Sequence, residues 1–138
     1  MIPVTVQTLI VSAAPSPSII VLQPVEEIVQ EGKSRIIPIW VGVNEATQMG
    51  IALEKARFSR PMTHDLMTHV IEGLGARIEK VEVTNLKDST FFAVIHLVTS
   101  DDRRVEIDAR PSDAIALATA AKAKIYVAEE VLEESAAA

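Results

Sequence analysis

The chain has 138 residues with a formal net charge of −6, and apolar residues make up 49% of it. This size and apolar content predict a single folded domain with a substantial core and exclude an intrinsically disordered chain. The absence of cysteine excludes disulfides, thiolate metal sites and cysteine nucleophiles, and it is typical of a cytoplasmic protein. The acidic balance does not favour nucleic acid as a partner, because long-range attraction to phosphates needs a basic face. No apolar run approaches the roughly 18–20 residues of a membrane helix, so we expect no membrane segment.

The first 41 residues have the alternation and β-branched content of strands. We predict strands at 4–11, 19–22 and 36–41. Pro38 has no N–H to donate, so the third strand is expected at a sheet edge or at a bulge. An edge strand favours pairing with a second copy, and we therefore expect a homo-oligomer, most simply a two-fold dimer.

The period of apolar residues becomes helical at 44–58 and again at 63–74. In the second of these helices one apolar side is expected to face the core. It consists of Leu66, Met67, Val70, Ile71 and Leu74. The remaining predicted elements are strands at 77–86, 90–99 and 103–109, a helix at 111–122, a strand at 125–127 and one or two helical turns at 129–134.

Three strands followed by a helix occur twice along the chain. Residues 39–46 resemble residues 107–114, and in both an acidic residue precedes alanine in the first helical turn. The pattern predicts an α+β fold of two related strands-plus-helix halves, an internal duplication, around a twisted, barrel-like and mainly antiparallel sheet. Residues 1–134 are expected to form this single domain, and residues 135–138 to fray.

Two Arg-Pro sequences, Arg60-Pro61 and Arg110-Pro111, each precede a predicted helix. Proline fits the first helical turn, where its missing N–H has no intrahelical partner. The N-terminus of a helix carries free N–H groups and a partial positive charge, so carboxylates and other anions bind there. Because both corners are rich in Asp, Thr, Ser and His, we expect them to form the two halves of one site.

The charged residues of the corners allow two interpretations. Asp108, Arg110 and Asp113 could combine a carboxylate pair for a metal with a guanidinium for phosphate. Equally, Asp113 could cap its helix while Arg110 pairs with Asp108, which would be a structural bracket that needs no ligand. Arg60 and Asp65 allow the same two interpretations at the other corner.

The histidines of the first corner are also open to two interpretations. At a helix start the dipole disfavours the imidazolium, so a neutral His64 could accept a proton or ligate a metal, or it could be a hydrogen-bonded structural residue. Asp65 and His69 are four residues apart and could share a metal. Their side of the helix is opposite the apolar one, so they equally suit a solvated polar face.

Four segments occur in the order and spacing of one known family. They are Ile-Pro-Ile-Trp-Val-Gly at 37–42 with Glu-Ala at 45–46, Arg-Pro-Met-Thr-His-Asp-Leu at 60–66, Phe-Phe-Ala at 91–93, and Asp-Ala-Arg-Pro-Ser-Asp-Ala-Ile-Ala-Leu-Ala at 108–118. Together they resemble the bifunctional nuclease domain of bacteria and plants, from about Val4 to Leu132. The resemblance implies an α+β fold of two related halves and a nuclease activity on DNA and RNA.

With this resemblance, our first hypothesis is a nuclease-like phosphodiester hydrolase. Its catalytic residues would be His64, Asp65, Asp108 and Asp113. Its substrate-binding residues would be Arg60, Thr63, Arg110 and Ser112. The three aspartates would hold Mg²⁺ or Mn²⁺, which would activate water and offset phosphate charge, with the histidine as base or ligand. The second hypothesis is a non-catalytic binding or regulatory module that receives a small anion or a partner carboxylate at the same corners.

Overall fold

The structure is a computed structural model that describes residues 1–10, 18–25, 35–41, 63–88 and 90–136. The strands are β1 (Ile2–Ile10), β2 (Ser18–Pro24), β3 (Ile37–Val41), β4 (Ala76–Lys87), β5 (Thr90–Thr99), β6 (Arg104–Ala109) and β7 (Lys124–Val127). The helices are α1 (Thr63–Gly73), α2 (Pro111–Ala121) and α3 (Glu129–Ala136). Within the described ranges every predicted strand and helix is confirmed to within two residues at each end. The helix predicted at 44–58 lies outside the described residues.

The described strands form one sheet in the order β3-β2-β1-β7-β4-β5-β6. Neighbouring strands pair antiparallel except β4 and β7, which run parallel. Register shifts in β1 and at two places in β4 bend these strands locally. The sheet curls into a half-barrel, so the predicted α+β fold with a mainly antiparallel, barrel-like sheet is confirmed.

The two halves of the sheet share one strand order. β1-β2-β3 and β4-β5-β6 are both antiparallel meanders, and they lie on opposite sides of β7. β1 is antiparallel to β7 whereas β4 is parallel to it, so β1 and β4 run in opposite directions. An approximate two-fold axis would relate the halves in this way. Because residues 42–62 lie outside the described residues, the internal duplication stays a prediction.

The core lies between the sheet and helices α2 and α3. Helix α2 is buried from Pro111 to Ala118 except at Asp113, because its alanines let the backbone approach the strands closely. Leu132 of α3 is fully buried in the same core, and the N–H of Ala128 donates to the carbonyl of Val83 at 3.0 Å. Helix α2 therefore packs against β3, β4, β5 and β7, and α3 packs against β3 and β4.

Helix α1 has a different orientation from the one predicted. Leu66, Met67, Val70 and Leu74 are exposed, and only Ile71 of the expected inward side is half-buried. His64 is buried instead, since α1 packs against α2 and β4 through its first turn and one narrow side. The prediction that the apolar side faces the core is therefore wrong for four of its five residues. None of the helices within the described ranges is long and apolar enough to span a membrane.

Strand β3 lies at one edge of the described sheet, which confirms the position expected from Pro38. The exposed apolar residues of α1 add a second surface that a partner molecule can cover. A homodimer stays a prediction: sedimentation at micromolar concentration is expected to give twice the 15.0 kDa mass of the chain. A mass of one chain under these conditions would contradict it.

Candidate functional site

A pocket of about 600 Å³ lies where the start of α1 meets the end of β6 and the start of α2. Its apolar lining consists of Met67, Ile95, Ile107, Ala109 and Leu117. Its polar lining consists of Thr63, His64, Asp108, Arg110 and Asp113. This corner pocket thus brings together five of the eight predicted site residues, from both Arg-Pro corners. Arg60 lies outside the described residues.

The second corner is held by an ion pair within its own first helical turn. Arg110 is the N-cap residue of α2 with an extended backbone, and its Nε and Nη2 donate to the two carboxylate oxygens of Asp113 at 2.8 and 3.1 Å. Asp113 does not cap the helix, because no side-chain cap hydrogen bond is present at this described terminus. Pairing across three residues favours Asp113 over the expected Asp108, which precedes the turn. The predicted structural bracket is therefore present, but Arg110 pairs with Asp113 and not with Asp108.

His64 connects the first corner to this ion pair. Its side chain is 11% exposed and its Nε2 lies 4.0 Å from Oδ1 of Asp113. This separation exceeds a hydrogen bond but keeps imidazole and carboxylate in electrostatic contact. His64, Asp113 and Arg110 therefore form a row along the wall of the corner pocket, with the histidine inside and the arginine, 69% exposed, at the rim.

The other predicted site residues take different positions. Asp108 is exposed near the end of β6, where it pairs across strands with Val94, and it contributes to the lining of the corner pocket. Asp65 is exposed on α1 and is not among the described residues that line the corner pocket. Ser112 is buried and lines a neighbouring pocket. The structure therefore brings Asp108 and Asp113 to the corner pocket, but not Asp65.

The predicted Mg²⁺ or Mn²⁺ site requires oxygen ligands that converge on one point. Within the described ranges no three His, Asp or Glu side chains are close enough to hold a metal ion. Both oxygens of Asp113 bind a guanidinium, whose positive charge opposes a cation at the same carboxylate. The described side chains do not by themselves fit such an ion, and a metal requirement stays a prediction.

A second pocket, of about 300 Å³, adjoins the corner pocket because Arg110 lines both. Its remaining lining consists of Ile39, Trp40, Thr90, Phe91, Pro111 and Ser112. We name it the Trp40 pocket, since the indole is its most exposed large apolar side chain. The sequence analysis assigned no site role to Trp40. Strand alternation nevertheless predicts that it lies on the face of β3 opposite to the inward Ile37 and Ile39.

A separate polar cluster lies on the face of the sheet opposite to the corner pocket. Nε2 of His96 contacts the carboxylate of Glu82, and its Nδ1 lies 3.8 Å from Glu106. Nearby, Nη1 of Arg104 donates to both oxygens of Glu79 at 2.7 Å. Hydrogen bonding from Arg104 lowers the pKa of the half-buried Glu79 carboxyl below its ordinary value. These contacts tie the edge strand β6 to β4 and β5, which fixes the wall of the pocket on the other face.

The α+β half-barrel, with residues of both Arg-Pro corners at one pocket, agrees with the fold that the four sequence segments predicted. The model of the bifunctional nuclease domain matches residues 28–138, so the chain belongs to this family. An uncharacterised protein of Mycobacterium tuberculosis (strain H37Rv) is 34% identical over 113 residues, which are 82% of this chain and 66% of the relative.

Two plant relatives bear the name of a nuclease. Bifunctional nuclease 2 of Arabidopsis thaliana is 27% identical and Bifunctional nuclease 1 of Oryza sativa subsp. japonica is 24% identical, each over 100 residues. These residues are 71% of this chain and 30% of each plant protein. The chain thus spans just under two thirds of the mycobacterial relative and less than a third of the plant proteins.

Proposed function

We propose that this protein is a nuclease-like phosphodiester hydrolase that acts at the corner pocket. The observation that carries the proposal is the convergence of His64, Asp113 and Arg110 in one pocket. Membership of the bifunctional nuclease domain family and the names of the plant relatives support the reaction class. The substrate is DNA or RNA, and the scissile phosphodiester lies between the two corners.

The pocket offers favourable electrostatics for a phosphate despite the acidic chain. Thr63 is the first residue of α1 and Pro111 the first of α2, so the N-termini of two helices meet here. Their free N–H groups and partial positive charges favour an anion. The exposed guanidinium of Arg110 adds a planar group that suits phosphate oxygens, and its positive charge is offset in part by the paired Asp113. Attraction is thus local, which agrees with a chain whose net charge is −6.

His64 is the candidate general base. An imidazole that lines the pocket can take the proton of an attacking water. The imidazolium that forms would be stabilised by Asp113, 4.0 Å away. Asp113 in turn positions Arg110 through the two hydrogen bonds between them. Arg110 then clamps the phosphate, and the hydroxyl of Thr63 is a further donor to it.

A non-catalytic module is the second candidate. The Arg110–Asp113 ion pair satisfies both side chains without any ligand, as a purely structural bracket would. Such a module would receive a small anion or a partner carboxylate at the same two helix N-termini. Cleavage of a nucleic acid by the purified protein, with or without added Mg²⁺ or Mn²⁺, separates the two candidates.

Arg110→Lys is expected to raise KM for DNA and RNA cleavage by about tenfold or more, because an ammonium cannot form a bidentate contact with phosphate. The measurement compares cleavage kinetics with and without chelator, together with the melting temperature of each variant. Arg103→Lys is the matched control, since this exposed turn residue is remote from the pocket lining. If Arg110→Lys lowers the melting temperature and leaves KM unchanged, Arg110 has only a structural role. Absence of cleavage by wild type under all metal conditions would favour the non-catalytic module.

A further inference from the structure

Trp40 is the single tryptophan of the chain, and its 57% exposure needs a physical reason. Alternation along β3 places Ile37 and Ile39 in the core and leaves Trp40 on the opposite face. An indole is a costly residue to leave in water, since it carries a large apolar area. The Trp40 pocket beside it is open to a ligand that covers this surface.

The chemistry of the Trp40 pocket suits a flat heteroaromatic ring with polar edges. Trp40 and Phe91 provide aromatic surface, and the guanidinium of Arg110 can also stack on a ring. The hydroxyl of Thr90, on the same lining, is a hydrogen-bonding group for the edge of such a ring. This combination of aromatic faces with an arginine is how proteins hold unstacked nucleobases.

We propose that the Trp40 pocket is a nucleobase subsite, in which a base stacks on Trp40 while the adjoining phosphodiester lies at Arg110. Arg110 lines both pockets, so a base in one and its phosphate in the other are joined through a single residue. The inference deepens the proposed function and rests on it. Because every base has a π face, stacking of this kind accepts different bases and does not depend on the sugar.

Intrinsic fluorescence tests the subsite directly, because Trp40 is the only indole. Adenosine 5′-monophosphate is expected to quench this fluorescence saturably, whereas ribose 5-phosphate, which has the phosphate but no base, is expected to leave it unchanged. Equilibrium dialysis of labelled adenosine 5′-monophosphate is expected to show about tenfold weaker binding to Trp40→Leu and an intermediate loss for Trp40→Phe, which keeps an aromatic face. Circular dichroism of both variants checks that the exposed position tolerates the change.

The outcomes separate the subsite from the nuclease proposal. Cleavage by wild type with no quenching by the nucleotide, and an unchanged KM in Trp40→Leu, would overturn the subsite and leave the nuclease standing. Equal quenching by ribose 5-phosphate would also overturn it, since the indole would then report the phosphate alone. Quenching and Trp40-dependent binding without any cleavage would support the subsite and overturn the nuclease, which would leave a nucleotide-binding module.

Discussion

His64→Ala is expected to lower the rate of phosphodiester cleavage by about 10²–10⁴-fold, the usual contribution of a general base. The imidazole lines the corner pocket, and the carboxylate of Asp113 lies 4.0 Å from its Nε2, where it can stabilise the charge that forms when the imidazole accepts a proton. The measurement is kcat and KM on DNA and RNA for variants purified by the same protocol. A loss in kcat with little change in KM is the expected pattern.

His69→Ala is the matched control, because it removes the same side chain from the same helix at an exposed position. Since His64 is buried, His64→Gln serves as a second variant that retains volume without a comparable base. Activity that survives in both His64 variants would contradict the assigned role. Activity that is equal in all variants, including His69→Ala, would indicate a contaminating nuclease.

The contributions of the Asp113 and Asp108 carboxylates to cleavage can be compared in the same way. Asp113→Asn is expected to reduce cleavage more than Asp108→Asn, because only the first carboxylate contacts His64 and Arg110. A shared metal would predict similar losses for both, together with a strict requirement for Mg²⁺ or Mn²⁺. Cleavage assays of the two variants with and without chelator distinguish these cases.

Much of the fold follows from local patterns in the sequence. The β-branched alternation predicts the strands, and Pro38, which cannot donate to a ladder, predicts the edge position of β3. The orientation of α1 does not follow, because periodicity shows that a helix has an apolar side but not what covers it. The contacts of α1 with α2 and β4 place the imidazole of His64 inside and leave Leu66 and Val70 exposed.

The sequence predicted only part of the candidate site, because local patterns do not show how the elements pack against each other. Repetition of the Arg-Pro corner indicates convergence, and the structure brings Thr63 and His64 to Arg110 and Asp113. A metal site cannot be inferred from carboxylates in one corner alone, since a helical turn pairs both oxygens of Asp113 with Arg110, and Asp65 is not among the described residues that line the corner pocket. Which side chains meet in the folded protein depends on the tertiary structure, and residue types at given spacings do not specify it.

Leu132→Ala is expected to lower the free energy of unfolding by about 2–5 kcal/mol, the usual cost of removing a fully buried leucine side chain and leaving a cavity. Leu132 has no solvent exposure, and α3 packs against β3 and β4. Its helix is anchored at Ala128, whose N–H donates to Val83, so the vacated space cannot easily collapse.

Leu74→Ala is the matched control for this experiment, and its expected effect is within about 0.5 kcal/mol, because Leu74 is 81% exposed. Urea denaturation followed by circular dichroism gives both free energies. The pair also tests the orientation of α1, since an inward-facing apolar side would make Leu74→Ala as costly as a core truncation.

A loss below about 1 kcal/mol for Leu132→Ala would mean that α3 is not part of the cooperative core. A large loss for Leu74→Ala would mean that the apolar side of α1 is covered, either by the same chain or by a second copy, and a concentration-dependent midpoint would identify the second copy as the cause.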